Sequence, residues 1–94
     1  MSDMQKILED EGYMCVRRMK NGEWIGVSMQ IYTCGLCVGL NEHEYKRRYC
    51  YEKLRYALIA ASQYEGEGDP IGPWIKVKGE GGERMGPGAK GTIT

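Results

Sequence analysis

Tyr13-Met-Cys-Val-Arg-Arg-Met-Lys-Asn-Gly-Glu-Trp-Ile-Gly-Val-Ser-Met-Gln30 is the stretch from which the fold is read. Two strand-like runs, 13–20 and 23–30, flank Asn21-Gly22. Both turn residues tolerate positive φ, so the pair predicts a two-residue type I′ hairpin. A turn of that length sets the register: Lys20 opposite Glu23, Met19 opposite Trp24, Val16 opposite Val27, Met14 opposite Met29. Alternation then puts Met14, Val16, Ile25, Val27 and Met29 on one face, interrupted by Arg18. That face is the predicted core. Tyr13, Cys15, Arg17, Met19, Trp24, Gly26 and Ser28 fall on the other.

Outward from the hairpin, residues 32–40 read as a third strand. Its even positions, Cys34, Leu36, Val38 and Leu40, can join the core. Gly35, Cys37 and Gly39 leave the opposite face nearly bare, which weakens a strand unless something approaches closely. Upstream, Ser2 caps a short helix over residues 3–11, with Gln5 at the capping-box position and Gly12 ending it. Downstream, Asn41 predicts the start of a long helix. Glu42 and Glu44 suit its first turn, and Glu42–Lys46 and Glu44–Arg48 are favourable i,i+4 pairs. Cys50, Leu54, Ala57, Leu58 and Ala61 form its apolar stripe, and it should stop near Gly66.

Residues 66–73 are turn material. Trp74 to Lys78 alternates, as a fourth, edge strand or as an extended arm. Residues 79–94 hold six glycines and almost no large apolar side chain, too little to offset chain entropy, and predict a disordered tail. The expected fold is a single α+β domain over residues 1–78: a three-stranded antiparallel meander, with or without that fourth edge strand. A long helix and a short N-terminal helix should pack on one face.

Thirteen Lys and Arg balance thirteen Asp and Glu. A neutral total argues against a protein that coats DNA through bulk charge. The charges are nonetheless segregated: Asp3, Glu9, Asp10 and Glu11 near the start, Lys46, Arg47, Arg48, Lys53 and Arg55 in the middle. No apolar run approaches the ~20 residues that span a bilayer. The N-terminus lacks the basic and apolar regions of a signal peptide. A cytoplasmic location follows as the expectation, with Cys15, Cys34, Cys37 and Cys50 as thiols or metal ligands rather than disulfides.

Four constellations could carry chemistry. Cys34-x2-Cys37-x5-His43-x6-Cys50 supplies a Cys3His set suited to tetrahedral zinc. It resembles a zinc knuckle with longer gaps, and it requires Cys34 and Cys37 to converge through a turn at Gly35-Leu36. The plainer alternative is strand cysteines packing as small apolar groups, with no cofactor at all. Cys34-Gly-Leu-Cys37 also looks like a thioredoxin-type motif, but no helix starts beside it to lower a thiol pKa.

The third constellation is a sheet face of Tyr13, Arg17, Met19 and Trp24 with Gly26, Gly35 and Gly39. Aromatics and Arg of this kind anchor a protein partner, a second copy of the chain, or single-stranded bases. The bland alternative is that the 74–78 arm covers the face, with Trp74 filling the glycine hollow. The fourth is the basic, tyrosine-rich segment with Arg47 and Arg48, suited to a phosphate backbone if helical, or simply a solvated helix face. The element order resembles the double-stranded-RNA-binding domain, without that domain's glycine-and-lysine signature. There is no nucleophile–base set, and His43 reads as a surface residue.

Thr33-Cys-Gly-Leu-Cys-Val-Gly-Leu40, Arg48-Tyr-Cys-Tyr-Glu52 and Gly66-Glu-Gly-Asp-Pro-Ile-Gly-Pro-Trp-Ile-Lys-Val-Lys-Gly79 resemble small uncharacterised proteins of bacteriophages and prophages. The resemblance covers roughly residues 12–79. It implies a phage-type accessory protein acting in a bacterial cytoplasm and brings no site residue with it. The expected function is non-enzymatic binding of a host or phage macromolecule, foremost a protein, through Tyr13, Arg17, Trp24, Arg47, Arg48 and Trp74. A nucleic-acid-binding module is the alternative.

Overall fold

The helix expected over residues 41–64 is two elements, and that difference reorganises the sheet. The computed structural model describes residues 3–41, 44–79 and 82–85. In chain order these form α1 (Met4–Asp10), β1 (Met14–Arg18), β2 (Trp24–Met29), β3 (Cys34–Leu40), β4 (Arg47–Tyr51), α2 (Leu54–Gln63), β5 (Trp74–Gly79) and β6 (Arg84–Met85). The strands lie in one antiparallel sheet in the order β1-β2-β3-β4-β5-β6. The α+β class therefore stands. The three-stranded meander is corrected to five strands of five to seven residues plus the two-residue β6. The segment at 74–78 is not an edge: β5 lies between β4 and β6.

Why 47–51 is a strand is visible in its side chains. Tyr49 and Tyr51 are fully buried on one face, and Arg48 and Cys50 occupy the other. That period of two is the strand repeat, and it competes with the i,i+4 charge pairs that favoured a helix. Asn41 still does the work of a cap, its Oδ1 accepting the Glu44 N–H at 2.9 Å, but it closes the turn between β3 and β4 instead. Caps and turns use the same side-chain chemistry, so Asn41 alone does not separate them. Helix begins only at Leu54. There, Ala57, Ala60 and Ala61 are buried, and their small size lets α2 lie close on the sheet.

The hairpin register is also corrected. Met19 N–H donates to Glu23 O, and Gly22 N–H donates to Met19 O. The connection is thus a three-residue loop, Lys20-Asn21-Gly22, with Gly22 at φ +90°. This is a turn followed by a left-handed glycine, the next most common hairpin design. The slip by one residue sends Met19 to the core and Val16 away from it. A bulge between Met14 and Arg17, with Cys15 at φ +53°, restores Met14 to the core side. A second irregularity, between Trp24 and Ile25, carries Leu40 to the opposite face.

The main core lies between the sheet and α2: Met19, Ile25, Val27, Cys34, Leu36, Val38, Tyr49, Tyr51, Trp74, Val77 and the α2 alanines. Tyrosine does here what phenylalanine would do elsewhere. The Tyr49 hydroxyl donates to Asp69 at 2.7 Å and that of Tyr51 to the Ile71 carbonyl at 2.6 Å, so both rings are buried with their polar tips satisfied. A smaller cluster of Leu8, Val16, Cys37 and Leu40 packs α1 on the other face, at the β1–β2 corner. The two helices therefore take opposite faces, against the expectation of one shared face.

Of the tail expected to be disordered, Gly79 closes β5 and Arg84–Met85 form β6; residues 80, 81 and 86–94 lie outside the described residues. No helix among the described residues is long and apolar enough to cross a membrane.

Candidate functional site: the outer sheet face and the hairpin tip

Among the described residues α1 covers only one corner of the outer face, and over β3, β4 and β5 that face is topped by the half-buried side chains of Arg48, Lys76 and Lys78. Its floor follows from the register. Arg48 pairs with Cys37 on β3 and with Lys78 on β5; Cys50 pairs with Gly35 and with Lys76. The glycine at 35 is required by what lies on it. A Cβ there would sit 2.8 Å from Arg48 Cδ, so the arm of Arg48 occupies the space a side chain would take. The Arg48 guanidinium reaches the ring of Tyr45 at 5.1 Å. Its Nε is buried without a hydrogen-bond partner among the described residues. Gln30, Thr33, Arg48, Cys50, Ile75, Lys76 and Lys78 line a hollow of about 270 Å³.

At one end of this hollow stands the β2–β3 connection. Gln30 N–H donates to Thr33 O, leaving Ile31 and Tyr32 as a two-residue tip. Ile31 is 89% exposed and Tyr32 91%, with Met29 beside them at 60%. Turn positions usually carry Gly, Asn, Asp or Ser, so two large apolar side chains here stand out from ordinary turn chemistry.

The six residues expected to bind a partner do not share a surface. Tyr13 and Trp24 are half-buried against α1 and its cluster. Arg17 is a helix cap: it donates to the Ala61 carbonyl at 2.7 and 3.1 Å, to the Tyr64 carbonyl, and to Glu65 at 3.2 Å. These are the carbonyls that the end of α2 leaves without helical partners. Arg47 lies on the α2 side of the sheet and donates to the Tyr64 hydroxyl at 3.0 Å. Trp74 is buried in the main core, edge-on to Tyr49 at 5.5 Å. It does not fill the glycine hollow; Tyr13 lies over Gly26 and Arg48 over Gly35. Arg48 alone stays at the open face. Lys76, Lys78, Ile31 and Tyr32 were not singled out by sequence, although Lys-Val-Lys alternation and an apolar tip were both present to be read.

The cysteine set is separated by the strand. β3 is regular from 34 to 38, so Cys34 faces the main core, beside Met29 Sδ at 3.7 Å, and Cys37 faces α1. Cys50 shares the face of Cys37, while His43 lies outside the described residues. Among the described residues no three His, Cys, Asp or Glu side chains gather as a metal site. Burial pushes the Cys37 thiol up to about 11, well above where a nucleophile works at neutral pH.

A second hollow lies at the far end of α2, lined by Tyr64, Glu65, Glu67 and Asp69 among others. Two of its three carboxylates, Glu65 and Asp69, have partners. Arg84 grips Asp69 through both oxygens, at 2.8 and 3.2 Å, and with Tyr49 holds its carboxyl below the ordinary range. The Lys20 N–H and Arg17 hold Glu65 below it likewise. This end ties the 64–73 loop to the sheet.

Comparison with protein-family models, with curated proteins and with solved structures gave no match.

Proposed function

We propose that this chain is a small non-enzymatic binding protein, and that it engages a macromolecular partner with the hairpin tip and the outer sheet face beside it. The observation that carries the reading is the pair Ile31 and Tyr32, almost wholly in solvent at a turn while the core behind them is closed. Large apolar groups held out on a rigid hairpin lose little entropy on docking and anchor interfaces well. The likeness of 33–40, 48–52 and 66–79 to small phage proteins supports an accessory role in a bacterial cytoplasm.

A photo-crosslinking phenylalanine analogue at position 32, in cells making the protein, tests this. The expected result is adducts of discrete mass that excess unmodified protein competes away. The same group at Glu9, exposed on α1, should give none. Equal labelling from both positions, or adducts that do not compete, would remove the reading, as would turnover of any substrate that depends on Cys37.

A further inference from the structure

Resting on that reading, we infer that the open face of β3–β5 is a groove for the phosphate backbone of a single-stranded nucleic acid, with the Tyr32 ring at its end as a stacking surface. The leading observation is a like-charge pair. Arg48 and Lys78 are directly opposed across β4 and β5. Their Cβ atoms are then about 5 Å apart, and like charges so placed destabilise a sheet. Lys76 adds a third cation two residues along the same strand face. Among the described residues no carboxylate lines the hollow. Among the described residues Glu83 approaches Lys76 at 3.8 Å from an exposed position, a weak pairing. Three cations held together with only a weak counter-charge among the described residues are complementary to an anion that arrives from outside.

Several features favour a nucleotide strand over an acidic protein segment. The hollow sits on a sheet face, not on an edge where a peptide would add as a strand. Beside the cations it offers the amide of Gln30, bonded to Ser28 at 2.8 Å, and the hydroxyl of Thr33, with Cys50 and Ile75 as its apolar part. Tyr32 at the end offers a free π-face, which every base can use. The face admits one strand laid flat on it and has no helix to enter a duplex groove.

The test is fluorescence anisotropy with single-stranded RNA and DNA oligonucleotides of about 12 nucleotides, against a duplex of the same sequence and a poly-glutamate peptide. Binding to the single strands should weaken with salt, log Kobs against log[salt] having a slope of about −2 for three contacts. Lys78→Glu should lose at least about tenfold, since a charge-assisted contact becomes a repulsion. The same change gives Arg48 an opposite-charge neighbour and should raise the urea midpoint, so lost binding would not be lost folding. Tyr32→Ser should weaken binding and Tyr32→Trp retain it, while Lys6→Glu on α1 should leave it unchanged. No oligonucleotide binding at low salt, or binding indifferent to Lys78→Glu, overturns the inference. Poly-glutamate binding that Lys78→Glu abolishes, without oligonucleotide binding, overturns it but leaves the binding-protein reading standing. No ligand bound, together with no competable adduct from position 32, removes both.

Discussion

Arg48 and Gly35 form one unit: the arginine's Cδ lies 2.8 Å from where a β-carbon at position 35 would be, too close for both. This contact decides what a glycine-rich strand is for. Gly35→Ala should destabilise the protein, because the Arg48 arm must leave the sheet. In an Arg48→Ser background the same change should stabilise by about 0.5–1 kcal/mol, the ordinary gain from a less flexible unfolded chain. A double-mutant cycle by urea unfolding reads the reversal of sign. Equal effects in both backgrounds would show that Arg48 does not rest on Gly35.

Arg17, with its sequence context of a basic strand, acts as a cap on α2. Arg17→Met keeps the aliphatic arm and removes the donors to the Ala61 and Tyr64 carbonyls. The expected loss is about 1–3 kcal/mol, as for a charged hydrogen-bond donor. Amide exchange in the last turn of α2 should accelerate beyond the global change. Unchanged exchange there would place the loss elsewhere.

Asp69 and Glu65 should shape the acid limb of stability. Both carboxyls are held below their ordinary range, Asp69 first by Arg84 and Glu65 first by the Lys20 N–H. The unfolded chain therefore takes up these protons at higher pH than the native state does. Their stabilisation is complete above the ordinary carboxylate range and is lost as pH falls through the lowered native values. Asp69→Asn should flatten the fall in urea midpoint between about pH 5 and pH 2, and Glu65→Gln should flatten what remains. An unchanged slope in both variants would contradict these contacts.

Thiol reactivity should be confined to one position. Cys15 is exposed on the β1 bulge, while Cys34, Cys37 and Cys50 are buried and the Cys37 thiol is raised to about 11. At pH 8 a disulfide reagent should modify one thiol quickly in the native protein, and Cys15→Ser should abolish that fast phase. Rapid modification of Cys37 would mean that the α1 corner opens readily.

The tip and the core should separate cleanly. Ile31→Ser with Tyr32→Ser should change stability by no more than about 0.5 kcal/mol, as for surface positions. Tyr51→Ala, which empties a fully buried ring site, should cost about 3–5 kcal/mol. A large cost at the tip would show that Ile31 and Tyr32 are structural.

Local pattern sufficed wherever one signal stood alone. The runs before and after Asn21-Gly22, the alternation of 34–40 and the alanine-rich stretch after Leu54 each became the expected element, and Gly12 ends α1 where it should. It did not suffice where two local signals overlapped. Residues 44–51 carry both helix-spaced charge pairs and strand-spaced tyrosines. Only burial of Tyr49 and Tyr51 between β3, β5 and α2 resolves that overlap. Likewise, Asn-Gly serves two- and three-residue hairpins alike, and one residue of slip exchanges the faces. The bulge at Cys15 then exchanges them back. Which aromatic or arginine reaches solvent depends on the sum of such slips, so Arg17, Trp24 and Trp74 were assigned to a surface that packing consumed. Arg48, with Lys76 and Lys78, stayed at the open face because α1 is short. Strand and helix content was thus written in side-chain periodicity along the chain. The sheet's width, its faces and its open groove were set by long-range pairing, since the period of two leaves the choice of face to register.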